Sequence, residues 1–459
     1  MTLSIKAIQL LERLEKHGVR LGLESVGKLL VALDRPESKI PVVLIAGTNG
    51  KGSTATLLAS MAAAAGYTTG LYTSPHLQEV SERIRIDGRA ISNPILERAL
   101  FEIVEVSEKE LEALPTYFEV LTAMAFKIFF DENVDLAVIE VGLGGRLDAT
   151  NLASPLLSLL TEVGLEHQDF LGTTLGSIAR EKAGILRPGK PAIAWTARAE
   201  VWNTFQQVAQ EVGADLTRAQ EEIEVNRLGH DSRTTDPMEA RQRMRVSSPS
   251  GEATFTMGLL GRHQLANLGL AILGAQELQA SGFERLDRQS MVQGVATCQW
   301  PGRLEIVRLP DQGSILLDAA HNADGAASLS EYLEDLAEPY DLLFGSLAGK
   351  DVESYLPLLA GGAGKVILTA PVNSKALPAS ALCPLISDHP NVAIEENVGV
   401  ALRRALDGAD EASDRAVLLV VCGSIYLVGD VRTRLCAAYG EPLSAGSTAL
   451  FAGPGQRSA

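Results

Sequence analysis

The chain has 459 residues, too many for one compact core, so about two to three domains are expected. A hydrophobic fraction of 46% and a charged fraction of 21% are ordinary for a folded globular protein and argue against wholesale disorder. The formal net charge of −17 repels nucleic-acid phosphates; it speaks against a nucleic-acid partner but leaves room for a small anion in a local basic pocket.

In chain order, residues 2–17 and 24–34 read as helices. The first is amphipathic, with Lys6, Glu12, Arg13, Glu15 and Lys16, and lacks the apolar core and cleavage site of a signal peptide. No apolar run approaches the roughly 18–20 residues of a membrane helix. Cys298, Cys383, Cys422 and Cys436 form no C-x-x-C pair, which suits a reducing compartment; they read as apolar residues. The expectation is a cytoplasmic protein with no membrane partner.

Residues 41–46, Pro-Val-Val-Leu-Ile-Ala, have the length and β-branched content of a buried parallel strand. The loop Gly47-Thr48-Asn49-Gly50-Lys51-Gly52-Ser53 follows at once, and 54–65 reads as a buried helix. Strand, glycine loop and helix in that order make an anion site: backbone N–H groups turn inward and the helix N-terminus adds positive potential. Lys51 can reach the outer phosphates and Ser53 can offer a hydroxyl to Mg²⁺. The glycine spacing differs from G-x-x-x-x-G-K-[ST], so a plain glycine turn is the competing reading.

Further strands are expected at 69–73, 135–141 and 156–161, helices at 94–112 and 117–130, and a helical stretch around 178–185. Alternation of this kind implies a mostly parallel sheet with helices on both faces. Glu140 ends an apolar strand, where ligands of open parallel sheets gather. Beside a phosphate loop it is placed to hold Mg²⁺, though a solvated strand-end acid is the bland alternative. Taken singly, His167 is more often structural and Lys182 more often a surface or ion-paired lysine. His17, His76, His230 and His389 are read as structural.

Residues 217–256 break the rhythm and suggest short antiparallel strands, with polar loops such as 231–236. A helix is expected at 264–279, and Gln299-Trp-Pro-Gly-Arg303 reads as a hinge. The α/β pattern then restarts: strands 314–318, 340–345, 365–370 and 416–421, and helices 324–337, 397–407 and 424–438. The fold class is therefore α/β: a P-loop ATPase-type domain over 1–298, a Rossmann-like domain over 299–440 and a frayed tail over 441–459. Asp318 and His321 follow a strand of the second domain, facing the cleft, and Arg303 can pair with phosphate.

Several segments together resemble one family. Ala46-Gly-Thr-Asn-Gly-Lys-Gly-Ser53, Tyr72-Thr-Ser-Pro-His-Leu77, the run from Glu140 to Asn151, Glu181-Lys-Ala-Gly-Ile185, Gly261-Arg-His-Gln-Leu-Ala-Asn267, Pro301-Gly-Arg303 and Asp318-Ala-Ala-His-Asn322 are similar to folylpolyglutamate synthases and the bifunctional dihydrofolate synthase/folylpolyglutamate synthases, which belong with the Mur ligases. The resemblance implies ATP-driven amide formation: glutamate is added to dihydropteroate or to reduced folates through an acyl phosphate. It implies ATP contacts from Thr48, Asn49, Gly50, Lys51, Gly52, Ser53, Asn267, Arg303, Asp318 and His321. It places one Mg²⁺ on Ser74 and Glu140 with Ser53 nearby, and a second with help from His167 and a carbamate on Lys182; a monovalent cation is a further candidate. Lys51, Glu140, His167 and Lys182 would carry the chemistry. Gly22, Leu23, Tyr117, Phe118, Glu119, Leu147, Asp148 and Ala149 fall on the pterin side. The partners implied are small molecules, and the chain is expected to act as a monomer. The alternatives are a Mur-type ligase acting on another carboxylate, or a non-ligase P-loop ATPase, which would hydrolyse ATP without pterin or glutamate.

Overall fold

A computed structural model describes residues 3–16, 18, 20–230, 241–309, 313–407 and 418–439. The expected polar loop at 231–236, the tail at 441–459 and His17 lie outside the described residues.

The first sheet is built from β1 (Val42–Ala46), β2 (Thr69–Tyr72), β3 (Ile84–Ile86), β4 (Arg89–Ala90), β5 (Leu136–Glu140), β6 (Leu157–Leu160), β7 (Pro191–Ala194) and β8 (Asp215–Arg218). Its order is β4-β3-β2-β5-β1-β6-β7-β8, parallel from β2 to β8, with β3 and β4 antiparallel at one edge. All of β1 is buried. Val42, Leu44 and Ala46 enter the core on one face, while Val43 and Ile45 enter the core on the other. That two-sided burial is why its sequence is a continuous apolar run. The short elements β3, β4, β7 and β8 left little trace in the sequence. Asp215-Leu-Thr-Arg218 is a polar edge strand, and β4 has only two residues.

Register then decides which loops meet. β1 lies between β5 and β6, with Ile45 opposite both Glu140 and Leu159. The segments that leave these three strands therefore emerge side by side at the carboxyl edge of the sheet, where open α/β folds place ligands. The helix Lys51–Ala64 follows β1 and is buried along nearly its whole length. The helices Gln264–Ala280 and Arg288–Thr297 cover it; the second was not anticipated.

β9 (Glu224–His230), β10 (Gln242–Ser248) and β11 (Gly251–Met257) form an antiparallel sheet, as the break in rhythm suggested. Met244, Val246, Phe255 and Met257 bury its inner face. The second large sheet contains β12 (Glu305–Leu309), β13 (Gly313–Leu317), β14 (Tyr340–Phe344), β15 (Ala363–Ala370), β16 (Val392–Asn397) and β17 (Leu418–Cys422), in the order β12-β13-β17-β14-β15-β16. All but β12 run parallel. β16 escaped the sequence reading because its second half is Glu-Glu-Asn, an exposed edge. Within Gln299–Arg303, Trp300 packs on the phosphate loop, its ring 2.8 Å from where a side chain at Gly52 would begin. Among the described residues no helix is long and apolar enough to cross a membrane.

Candidate active site

The phosphate loop is held from below before any ligand is considered. Thr48 donates its N–H to the Glu162 carbonyl (2.8 Å) and its hydroxyl to the Gly164 carbonyl (3.1 Å), both on the segment leaving β6. Gly50 adopts a left-handed φ of 86°, and a Cβ there would stand 2.2 Å from Asn267 Oδ1. Glycine is needed at that point both for its backbone conformation and for room. Asn267, expected as a nucleotide contact, thus lies directly on the loop. The Lys51 ammonium folds back to the Thr48 carbonyl, 2.9 Å away, at the start of its helix.

Glu140 is 5% exposed, and its Oε2 accepts the Ser74 N–H at 3.1 Å. The same oxygen is 3.3 Å from the Cβ position of Gly52, so the carboxylate sits against the loop. Burial pushes its pKa up, opposed chiefly by Lys51, then by the Ser74 amide, Arg303 and Arg83. Ser53 is buried, with its hydroxyl 3.4 Å from Gln264 Nε2.

Lys182, also 5% exposed, lies behind the loop and donates to the Gly47 carbonyl at 2.6 Å. Desolvation first, then the Lys51 charge, pulls its pKa down to about 7, so a large share of the amine is uncharged near neutrality. His167 has a left-handed φ of 52° and a side chain 44% exposed, 3.7 Å from Glu166. Burial lowers its pKa against the pull of Glu166.

The opposite wall comes from the second sheet. The Asp318 carboxylate accepts backbone N–H groups of Leu304 (2.8 Å) and Ala320 (2.9 Å), which fixes the turn after β13. Burial raises its pKa, opposed first by Arg303. His321 meets the Ala319 carbonyl through Nδ1 (2.9 Å) and Glu166 through Nε2 (3.1 Å). Between the walls is a cleft of about 730 Å³ whose lining includes every expected nucleotide contact, together with Ser74, Glu140 and His167.

The pterin-side residues behave differently: none lines this cleft. Gly22 and Leu23 precede the helix Glu24–Ala32. Leu147 and Ala149 flank Asp148, whose carboxylate accepts the N–H groups of Leu143 (2.8 Å) and Thr150 (3.0 Å) and the Thr150 hydroxyl (2.6 Å). Glu119 closes a capping box with Thr116. Phe118 backs onto Gly142, a residue of the cleft wall, and Tyr117 lies under the Arg83 guanidinium.

Sequence reasoning missed Glu166 and Lys350. Glu166 Oε1 accepts from His321 and from Lys350 Nζ (3.0 Å), joining the two walls. Burial opposes its ionisation, but the His321 hydrogen bond and the charges of His321, Lys350 and Lys51 win, holding it well below the usual carboxylate range. Its signal was faint: Glu166 lies on the segment beyond β6, which ends at Leu160, whereas Glu140 is the last residue of β5. Lys350 had none, because it lies in a loop beyond β14 that only the tertiary fold brings across.

As to a metal, no cluster of three His, Cys, Asp or Glu occurs among the described residues. The Ser53 and Ser74 hydroxyls and the Glu140 carboxylate are instead hard oxygen donors, suited to Mg²⁺ with phosphate completing the shell. Desolvation of the bare Glu140 carboxylate is the penalty a divalent cation would relieve.

Comparison with known proteins agrees with this geometry. Residues 45–275 match the Mur ligase middle domain, and residues 306–435 match the dihydrofolate synthetase C-terminal domain. The dihydrofolate synthase/folylpolyglutamate synthase of Bacillus subtilis is 30% identical over 92% of this chain and 96% of its own length. The chain spans about half the length of two other curated relatives, probable bifunctional folylpolyglutamate synthase/dihydropteroate synthases of Haloferax volcanii and Halobacterium salinarum. Among solved structures, Escherichia coli FolC in complex with DHPP and ADP superposes with a TM-score of 0.80 at 29% identity, covering 94% of this chain and 98% of that one. The bifunctional folylpolyglutamate synthase/dihydrofolate synthase of Yersinia pestis, complexed with AMPPNP and a Mn ion, gives 0.79 at 29% identity, over 93% and 97%. With both halves of the sequence matched in order, and the phosphate loop, the strand-end carboxylate and the facing wall all in place, the chain belongs to the dihydrofolate synthase/folylpolyglutamate synthase family of Mur-type ligases.

Proposed function

We propose that the chain is an ATP-dependent ligase that joins L-glutamate to dihydropteroate, to reduced folates or to both, acting in the cytoplasm as a monomer. The observation that carries this is one cleft with two kinds of wall. The phosphate loop and Glu140 form the wall of the first half, with Lys182 behind the loop on the Gly47 carbonyl, and Arg303, His321 and Lys350 form the wall of the second. The division falls at 298/299, so the two halves meet over the reacting groups.

In this reading the substrate carboxylate attacks the γ-phosphate of ATP and ADP leaves. The glutamate amine then attacks the acyl phosphate, and phosphate is released. Lys51 exchanges its bond to the Thr48 carbonyl for the β- and γ-phosphate oxygens, where its charge follows the transferring group. The loop N–H groups and the N-terminus of the helix Lys51–Ala64 hold the phosphates in line. Arg303 and Asn267 fix the nucleotide. Ser53, Ser74 and Glu140 would hold one Mg²⁺; His167 and a carbamate on Lys182 would support a second. Bound divalent ions supply charge neutralisation at the phosphates. Lys182 suits carbamate formation because CO₂ reacts with a free amine, and burial keeps a large fraction of this one unprotonated.

The test is incubation with ATP, Mg²⁺ and labelled glutamate, offering dihydropteroate and tetrahydrofolate separately. ADP release and label incorporation that require the pterin carboxylate support the ligase; product with both substrates establishes two activities. ATP hydrolysis independent of pterin and glutamate overturns it.

A further inference from the structure

One helix of the second half, Ala323–Leu336, is tied to the first half at both ends. At its N-terminus, Asn322 uses both atoms of its side-chain amide. Oδ1 accepts the Gly325 N–H at 2.8 Å and caps the helix, while Nδ2 donates to Asn49 Oδ1, in the phosphate loop itself, at 3.1 Å. In the same first turn, the Asp324 carboxylate pairs with Arg198 (2.9 Å). Arg198 also donates to the Val163 carbonyl, on the segment whose Glu162 and Gly164 carbonyls hold Thr48. Asp324 lies so close to that segment that a side chain at Gly164 would begin 2.2 Å from its Oδ2. At the far end, Asp335 accepts from Arg227 (2.9 Å) and Arg262 (2.6 Å), and Glu331 pairs with Arg262 (3.1 Å).

The two ends differ in kind. The Asp335 and Glu331 pairs join partly exposed groups and hold the helix broadly in place. The Asn322 bond reaches the loop that carries the triphosphate, and it competes for no charge. It links the second half directly to the phosphate loop.

We propose that Asn322 is a positioning residue for ligation: through Asn49 it docks the C-terminal wall, with His321 beside it, onto the phosphate loop, so that hydrolysis and amide formation stay coupled. The inference rests on the ligase reading for its effect on coupling, but its structural content, docking through Asn322, stands apart from it.

Asn322→Ser separates the two uses of the amide, since serine still caps the helix yet cannot span to Asn49. Its unfolding midpoint should equal that of the native chain, and AMPPNP affinity should stay within about twofold. Loss of one hydrogen bond should lower the ligation rate by up to about tenfold and release more than one ADP per amide formed, a ratio that a merely stabilising residue would not move. Asn322→Ala, which also loses the cap, should add a lower midpoint. Native ligation rate and one-to-one coupling in Asn322→Ser overturn the proposal. If the native chain makes no amide at all, the ligase reading fails by itself. Small-angle scattering with AMPPNP then still decides this one: the native chain should compact and Asn322→Ser should compact less, whereas equal compaction overturns it.

Discussion

Two buried carboxylates, Glu140 on the nucleotide wall and Asp148 among the pterin-side residues, are held in different ways. Glu140 lines the cleft beside the phosphate loop with one backbone N–H on Oε2, and burial works against its charge. Asp148 is equally buried, but three donors from Leu143 and Thr150 converge on it, and Glu119 is closed into a helix cap. Burial raises the pKa of Asp148 as well, so the difference lies in the donors: a carboxylate with lone pairs left over is open to a cation or ligand. One whose lone pairs are taken up by the surrounding turn holds that turn in shape. The same residue type near the same site thus carries chemistry in one place and architecture in the other, and the donors around it tell which.

Substitutions can test that contrast. Lys51→Ala should cut glutamate-dependent ADP release by on the order of a hundred- to a thousandfold, the range for losing a charge aimed at a transition state. Undiminished release would move the reactive wall elsewhere. Lys182→Met should lower turnover by about ten- to a hundredfold, as loss of a metal-supporting group does. It should also abolish the carbamate resonance that ¹³C-bicarbonate gives with the native chain; native turnover without that resonance would dismiss the carbamate.

Asp148→Ala probes the architectural side. It strands buried donors at Leu143 and Thr150 and should cost about 2–4 kcal/mol in urea unfolding, with nucleotide affinity unchanged. A stable variant with a raised pterin KM would instead make Asp148 a substrate contact. A pH-dependent effect belongs to His263, whose Nδ1 is enclosed without a hydrogen-bond partner among the described residues. Burial, then the Arg303 charge, pushes its pKa down to about 4 from 6.5. Between those values the unfolded chain binds a proton that the folded chain does not, so stability falls as pH drops from 6.5 towards 4. Below about 4 the penalty is fully present. His263→Asn should flatten that part of the stability profile.

The phosphate loop was legible because its constraints are local. The apolar run of β1, the φ of Gly50 and the helix from Lys51 are adjacent in sequence, and together they leave few alternatives. Glu140 was legible for the same reason, at the end of β5. Glu166 was not legible in this way, because it lies beyond the end of β6 and its partners His321 and Lys350 come from the second half of the chain. The three-stranded sheet was legible as short antiparallel strands but without bounds, and β16 was lost because its second half is Glu-Glu-Asn.

The sequence by itself determined the α/β alternation of the main elements, the anion-binding loop and the family, because each depends on residues within a few positions of one another or on motifs met in order. Only the tertiary structure decided that β1 lies between β5 and β6, which sets the phosphate loop beside Glu140 and the Glu162–His167 segment. It alone brought Lys350 and His321 to Glu166 and Asn322 to Asn49, and it alone enclosed Lys182 enough to lower its pKa. Those are contacts across more than a hundred positions of chain, and desolvation is a property of what surrounds a residue in space.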